Sequence, residues 1–121
     1  MKAARFYETG KPLVIEEVPL PELGPNDVLV AIKAAGICGT DVHIAVEGTL
    51  PVLTSPIILG HEGAGEVVGV GSEVTQCKVS DRVCIFPTIA CGKCYACQEG
   101  KETLCLKGQI LGLVRDGTFA E

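Results

Sequence analysis

Four cysteines within sixteen residues constrain the fold of this chain more than any other feature. They are Cys91, Cys94, Cys97 and Cys105, in the stretch ACGKCYACQEGKETLC. Consecutive C-x-x-C steps let neighbouring thiolates turn toward one point, and Gly92 can supply the positive φ that such a turn often needs. Four thiolates complete a tetrahedral shell, which is a donor set that zinc prefers. The sequence therefore predicts a zinc-binding lobe at about residues 90–106.

A zinc ion held by four thiolates would serve structure rather than catalysis, because a closed shell leaves no position for a substrate. Such a site can contribute roughly 10–16 kcal/mol of apparent binding energy to ordering a segment that has little apolar core. An iron–sulfur cluster and a pair of disulfides are the alternatives. The spacing is unusual for a cluster. The total of seven cysteines also fits a fully paired disulfide framework poorly.

The composition limits the remaining possibilities. The 121 residues suffice for one domain, and the 4% aromatic content implies a core of Val, Ile, Leu and Ala. A net charge of −5 argues against a nucleic-acid partner. No apolar run approaches the roughly 20 residues of a membrane span, and MKAARFYETG lacks the apolar part of a signal peptide. We therefore expect a cytoplasmic protein without a membrane partner, where clustered cysteines are more often metal ligands than disulfides.

Short strands separated by glycine and proline dominate the local pattern. ARFYE and LVIEEVP, joined by TGKP, predict a hairpin, and DVLVAIKAAGI, EVVGVG and DRVCIF predict further strands. GTDVHIAVEG is the one predicted helix, with Thr40 as N-cap, Asp41 in the first turn and Gly48 at the end. The pattern predicts a mainly β fold, as a barrel or a sandwich. Because DGTFAE looks like the start of a β-type segment, we expect the chain to be truncated there.

A second group of candidate residues lies outside the cysteine lobe. Cys38 precedes the predicted helix, where the helix dipole favours a thiolate, and His61 lies in the glycine-dense stretch GHEGAGEVVGVGSEV. Taken singly, Cys38 could be a small buried apolar residue and His61 a hydrogen-bonded core residue. The glycines alone could mark a tight barrel corner. The combination of these features is what suggests chemistry.

Three ordered motifs resemble those of zinc-containing alcohol dehydrogenases. The pattern G-H-E-x-x-G-x5-G-x-x-V resembles the signature of that family and is met by Gly60, His61, Glu62, Gly65, Gly71 and Val74. The lobe has the C-x2-C-x2-C-x7-C spacing of their structural zinc loop, and AAGICGTDVH resembles the segment carrying their first catalytic zinc ligand. The resemblance spans essentially the whole chain. It implies that residues 1–121 form a GroES-like catalytic domain, a partly open β-barrel with one or two short helices, without the Rossmann cofactor domain that follows in the family.

The resemblance also implies residue roles. Cys38 and His61 would be two of three protein ligands of a catalytic zinc that keeps one position open. Asp41 would accept a hydrogen bond from the imidazole of His61 and fix its tautomer, unless it is only an acid at the start of a helix. Glu62 would approach the same zinc when water or substrate shifts, unless it is a solvent-facing charge on a strand.

The implied reaction is oxidation of a small-molecule alcohol to an aldehyde or ketone. Zinc would act as a Lewis acid, and the hydride would pass to NAD or NADP. Thr40 would hydrogen-bond the substrate oxygen, and His43, on the same helical face, would carry the proton to solvent. Their alternatives are a helix cap and a surface polar residue. The resemblance further implies a homo-oligomer (dimer or tetramer), with the third zinc ligand beyond residue 121, so residues 1–121 alone should be inactive.

Two cysteines match no ligand position of that family. We expect Cys84 in the core and Cys77 in a loop. The alternative function is a non-catalytic zinc-binding β-domain that uses the lobe for structure or interaction. Such a domain has no use for an open pair of cysteine and histidine, and a zinc-free relative of the quinone-reductase type is disfavoured for the same reason.

Overall fold

Eight short strands carry most of the regular structure in the computed structural model, which describes all of residues 1–121. The strands are β1 (Lys2–Phe6), β2 (Val14–Glu17), β3 (Val28–Gly36), β4 (Ile57–Ile58), β5 (Glu62–Val70), β6 (Arg82–Cys84), β7 (Thr88–Ile89) and β8 (Gln109–Ile110). The helical segments are α1 (Gly39–Val42), a π-helical turn (His43–Glu47), α2 (Tyr95–Gln98) and a 3-10 turn (Glu102–Leu104). No helix has the length and apolar character needed to cross a membrane.

The strands pair antiparallel in three sheets, and none of the sheets closes on itself. Their orders are β2-β1-β4, β3-β5-β6 and β7-β8. The predicted hairpin is confirmed as β1 and β2, with Lys2 facing Glu17 and Arg5 facing Val14. The expected mainly β, partly open architecture with short helices is therefore confirmed.

The pairing of β3 with β5 is the longest in the domain. It runs from Val28 opposite Val70 to Gly36 opposite Glu62, with two register shifts along the way. Every second residue of β5 is buried, at Gly63, Gly65 and Val67. The glycine-rich stretch is thus barrel wall, as predicted, because its glycines let two backbones pack closely. The pair ends where β3 leads into Cys38 and where His61 leads into β5.

The core is small and aliphatic apart from one phenylalanine. One cluster of four buried side chains comes from β1, the π-helical turn and the segment at β4, namely Phe6, Ile44, Ile57 and Leu59. Burying each such side chain contributes about 1.5–3 kcal/mol. Because Ile44 lies one turn after α1, the core anchors that helix against the segment that leads to His61.

The start of α1 differs from the prediction. Cys38, with φ −85° and ψ 156°, is the N-cap residue, and the carboxylate of Asp41 accepts a hydrogen bond from its backbone N–H at 2.9 Å. Thr40 lies inside the first turn, so the prediction that it caps the helix is wrong. Asp41, the third residue of the helix, bonds back to the N-cap residue Cys38. The helix therefore begins at Gly39, before the position at which a Thr40 cap would start it. Gly48 ends the helical segment at φ 67°, as predicted.

Two glycines of β5 provide a matched test of the close strand packing. A Cβ at Gly65 would overlap the backbone oxygen of Ala31 on β3, whereas a Cβ at Gly69 would have no neighbour nearer than 3.4 Å. We expect Gly65→Ala to lower the free energy of unfolding by about 1–3 kcal/mol, since the two backbones must separate. Gly69→Ala should leave it unchanged or raise it by up to about 1 kcal/mol. Urea denaturation of both variants measures the difference, and equal stabilities would contradict the packing.

Candidate metal centres

The sulfurs of the cysteine lobe converge as predicted. The Sγ–Sγ distances are 4.0 Å for Cys91–Cys97, 3.5 Å for Cys94–Cys97 and 3.9 Å for Cys94–Cys105. All four sulfurs lie within 4.8 Å of one another. Sulfurs around one tetrahedral ion with bonds of 2.3 Å would be about 3.8 Å apart. The four thiols therefore fit a single zinc ion, and their separations are far longer than the roughly 2.05 Å of a disulfide.

Local backbone turns place these four sulfurs. Cys94 is the N-cap of α2, Cys97 lies within that helix, and Cys105 directly follows the 3-10 turn. Gly92 takes the positive φ expected of it, at 67°. The lobe contains no fully buried side chain from residue 91 to residue 108. Its order consequently depends on the sulfur cluster more than on apolar packing.

Backbone N–H groups aimed at the sulfurs favour the thiolate form. Hydrogen bonds from the N–H groups of Lys93 and Cys94 lower the pKa of Cys91, and those of Cys97 and Leu106 lower the pKa of Cys94 to about 6. Desolvation acts in the opposite direction on Cys97 and raises its pKa to about 12. The lobe thus favours a thiolate at Cys94 or Cys91, and a bound cation would stabilise additional thiolates beside it.

A second group of donors forms where β3 and β5 end. Cys38 Sγ, a ring nitrogen of His61 and a carboxylate oxygen of Glu62 lie within 4.8 Å of one another. The predicted convergence of Cys38 and His61 is confirmed, although 23 residues separate them in sequence. A thiolate, an imidazole and a carboxylate are all suitable zinc donors, and three protein donors leave a tetrahedral position for another ligand.

Asp41 joins the two segments that carry these donors. Its carboxylate is buried and accepts hydrogen bonds from the backbone N–H of Cys38 at 2.9 Å and of Gly60 at 3.2 Å. The Nδ1 atom of His61 lies 3.9 Å from Asp41 Oδ1, so the expected hydrogen bond between them is not formed in this structure. That buried nitrogen has no hydrogen-bond partner. Asp41 therefore positions backbone on both sides of the site.

The end of the chain supports the segment before His61, which sequence reasoning did not anticipate. Gly60 has φ 87°, and a Cβ there would collide with Thr118 and Phe119. The backbone N–H of Thr118 donates to the carbonyl of Gly60 at 2.9 Å, and that of Phe119 donates to Leu59 at 3.0 Å. The available signal was the glycine in DGTFAE, which permits this close approach. The backbone that leads into His61 is consequently fixed by hydrogen bonds from residues more than fifty positions away in sequence.

The two residues of the expected proton relay occupy different environments. Thr40 Oγ1 lies 3.6 Å from Cys38 Sγ, at the edge of the second donor group. His43 is exposed, and its Nδ1 lies 2.7 Å from Glu47 Oε2. The backbone N–H of His43 donates to the carbonyl of Thr40, but no hydrogen bond joins the side chains of the two residues. The partnership of His43 with Glu47 was missed, although an i,i+4 spacing is the signal for such a pair.

The remaining cysteines stand apart from both groups. Cys77 lies in a loop, as predicted. Cys84 is exposed, so its assignment to the core is wrong. Successive side chains of β6 point to opposite faces of the sheet, and Val83 is more buried than its neighbours Arg82 and Cys84.

Comparison with known proteins identifies relatives over nearly the whole chain. Residues 24–121 match the family described as alcohol dehydrogenase GroES-like domain. The L-threonine 3-dehydrogenase of Symbiobacterium thermophilum is 47% identical, over 100% of this chain and 35% of that protein. The chain thus spans about a third of the length of such relatives.

Solved structures of alcohol dehydrogenases also resemble this chain. An NAD-dependent alcohol dehydrogenase superposes with a TM-score of 0.90 at 40% identity, covering 100% of this chain and 36% of that one. The cobalt- and zinc-bound thermostable alcohol dehydrogenase of Pyrobaculum aerophilum superposes with a TM-score of 0.91 at 33% identity, covering 100% of this chain and 37% of that one.

Replacing one lobe cysteine tests the first metal centre. Cys97→Ser should remove about one equivalent of zinc per chain, because a hydroxyl is a poor substitute for the fourth thiolate. Cys77→Ser is the matched control and should keep the full zinc content. Elemental analysis of the purified proteins measures both. Unchanged zinc in Cys97→Ser, or iron with visible absorption in the unmodified protein, would contradict the assignment.

Proposed function

The chain belongs to the family of alcohol dehydrogenase GroES-like domains, and from that premise we propose that it is the catalytic domain of a zinc-dependent alcohol dehydrogenase. The proposed reaction oxidises a small-molecule alcohol to an aldehyde or ketone and transfers the hydride to NAD or NADP. Similarity to a threonine dehydrogenase and to an NAD-dependent alcohol dehydrogenase supports it. The observation that carries the proposal is the group of Cys38, His61 and Glu62, a second donor set for which a purely structural zinc domain has no use.

The two donor groups would have different tasks. The four lobe cysteines would hold a structural zinc, whereas Cys38 and His61 would hold the catalytic one together with a further ligand, and Glu62 would approach it when water or substrate shifts. When bound, the catalytic zinc would supply a Lewis acid that lowers the pKa of an alcohol hydroxyl. The mixed sulfur, nitrogen and oxygen donors fit an ion that retains an open position. The Pyrobaculum relative is cobalt- and zinc-bound, which supports metal binding by this protein.

The chain's own residues would orient the substrate and move its proton. Asp41 fixes the backbone before Cys38 and before His61, so the donors keep their spacing when a substrate binds. The hydroxyl of Thr40, beside Cys38, would hydrogen-bond the substrate oxygen and accept its proton. His43 would then pass the proton to solvent through Glu47. A water or substrate hydroxyl would bridge Thr40 and His43, because no hydrogen bond joins their side chains.

The rest of the proposal concerns the whole protein. Because the relatives are about three times as long as this chain, the nicotinamide site and a further zinc ligand would lie in a Rossmann domain and its neighbouring segments. Residues 1–121 alone would then be inactive. We further propose a cytoplasmic homo-oligomer, a dimer or tetramer, as the family resemblance implies, without a membrane partner. The net charge of −5 argues against a nucleic-acid partner.

The two histidines of the chain form a matched pair for testing these roles. His61→Ala should remove about one zinc equivalent and abolish alcohol-dependent nicotinamide reduction, because it deletes a metal donor. His43→Ala should retain all zinc and reduce turnover by about 10²-fold, the usual contribution of a proton-transfer group. Elemental analysis and steady-state kinetics of the full-length enzyme distinguish the outcomes. Full zinc content in His61→Ala would refute the catalytic centre.

Chelation provides an independent test, because the two centres should differ in affinity. The lobe offers four thiolates, and the second group offers only one. Thiolates are the donors that bind zinc most tightly, so a chromophoric chelator should remove the catalytic zinc first. Activity of the full-length enzyme should fall with the first equivalent released, while the lobe cysteines remain protected from alkylation. Release of both equivalents in one phase would contradict the proposal.

A further inference from the structure

We propose that Gly36 is a positioning residue whose missing side chain admits the Glu62 carboxylate to the catalytic metal centre. The inference rests on the proposed function, because it concerns the same site. Gly36 is the last residue of β3 and lies directly opposite Glu62, the first residue of β5. Two residues further along the chain is Cys38, and His61 directly precedes Glu62. The glycine therefore lies where both donor-bearing segments leave the sheet.

The space at Gly36 is filled by the side chain of Glu62. A Cβ added at Gly36 would overlap Glu62 Oε2, and it would lie 3.2 Å from Glu62 Cβ and 3.5 Å from Glu62 Cδ. The three heavy atoms nearest to that position therefore all belong to Glu62. The Glu62 side chain is thus folded across the bare backbone of Gly36.

The backbone itself does not require glycine at this position. Six glycines of the chain have positive φ, and Gly36 is not among them. Its conformation is that of an ordinary β-strand residue, which alanine adopts without strain. Glycine within a strand weakens it and often marks a close approach of another group. Here the approaching group is a carboxylate rather than a backbone.

The position of that carboxylate matters to the site. Glu62 is exposed, so its charged end would be well solvated if it pointed away from the domain. In the structure its oxygen instead lies within 4.8 Å of Cys38 Sγ and of a ring nitrogen of His61. A methyl group at position 36 would push the flexible end of Glu62 away. The sheet would be little disturbed, but the metal centre would lose a donor.

A cobalt titration of the full-length protein tests this inference. Co²⁺ alone is added to enzyme whose lobe is filled with zinc, and the visible absorption of the second centre gives its affinity. The variants are Gly36→Ala, Glu62→Ala, and the two combined. Gly39→Ala is the control, since a Cβ at Gly39 meets nothing within 4 Å. Melting temperatures report whether each variant is folded.

We expect Gly36→Ala to weaken cobalt binding about tenfold, the lower end of effects seen when a group supporting a metal site is lost. Glu62→Ala should weaken it by a similar factor, and the double variant should be no weaker than Glu62→Ala alone. Gly39→Ala should match the unmodified protein. If Gly36→Ala also lowers the melting temperature, most of that decrease should vanish in the Glu62→Ala background, because the overlapping Oε2 atom is gone and only the Cβ atom, at 3.2 Å, remains.

Three results would overturn the inference. The first is unchanged cobalt affinity in Gly36→Ala, which would leave the proposed function intact. The second is a loss of cobalt affinity, or a fall in melting temperature, that Gly36→Ala causes to the same extent whether residue 62 is Glu or Ala. The third is an unmodified protein that takes up no cobalt ion in addition to the zinc of its lobe. That last result would refute the catalytic metal centre itself, and the inference with it.

Discussion

The arrangement of Cys38 and His61 in this domain depends on one buried carboxylate. Asp41 accepts hydrogen bonds from the backbone N–H of Cys38 and from that of Gly60, the residue before His61, so a single side chain joins the end of β3 to the start of β5. Burying a charge is costly unless it is well hydrogen-bonded, and N–H donors to a carboxylate are strong partners. A cation held by the nearby donors would stabilise the buried charge further. The spacing of Cys38 and His61 follows from this arrangement, since neither residue is bonded directly to the other.

The two metal centres differ in how readily a sequence can reveal them. The lobe is a local feature, because four cysteines within sixteen residues can meet through backbone turns alone. The Cys38 and His61 pair is non-local and depends on the register of β3 against β5. The resemblance of the flanking motifs to those of a known family predicted that pairing, whereas periodicity alone could not. The support that Thr118 and Phe119 give to Gly60 had only one signal in the sequence, the glycine in DGTFAE, because it involves the backbone of a segment that looked like a plain strand.

The errors of sequence reasoning have physical causes of the same kind. Thr40 is a good helix cap by residue type, but Asp41 reaches the backbone N–H of Cys38 and starts the helix one residue before Thr40. Cys84 is a typical core residue, but strand alternation turns it outward in a sheet that does not close. In each case the competing interaction belongs to the tertiary fold or to a neighbouring side chain. A single residue's preference could not reveal it.

The pairing of the two chain ends has a consequence for the order of folding. The backbone N–H of Glu121 donates to Lys2 at 3.0 Å, and residues 117–119 complete the wall behind Gly60. Contacts between residues so distant in sequence form late, because the loop-closure entropy must be overcome first. The lobe closes a loop of about fifteen residues, whose closure takes only tens of nanoseconds. The cysteine lobe can therefore bind its metal while most of the chain is still unfolded. The group at His61 becomes rigid only when residues 117–119 have packed against Gly60.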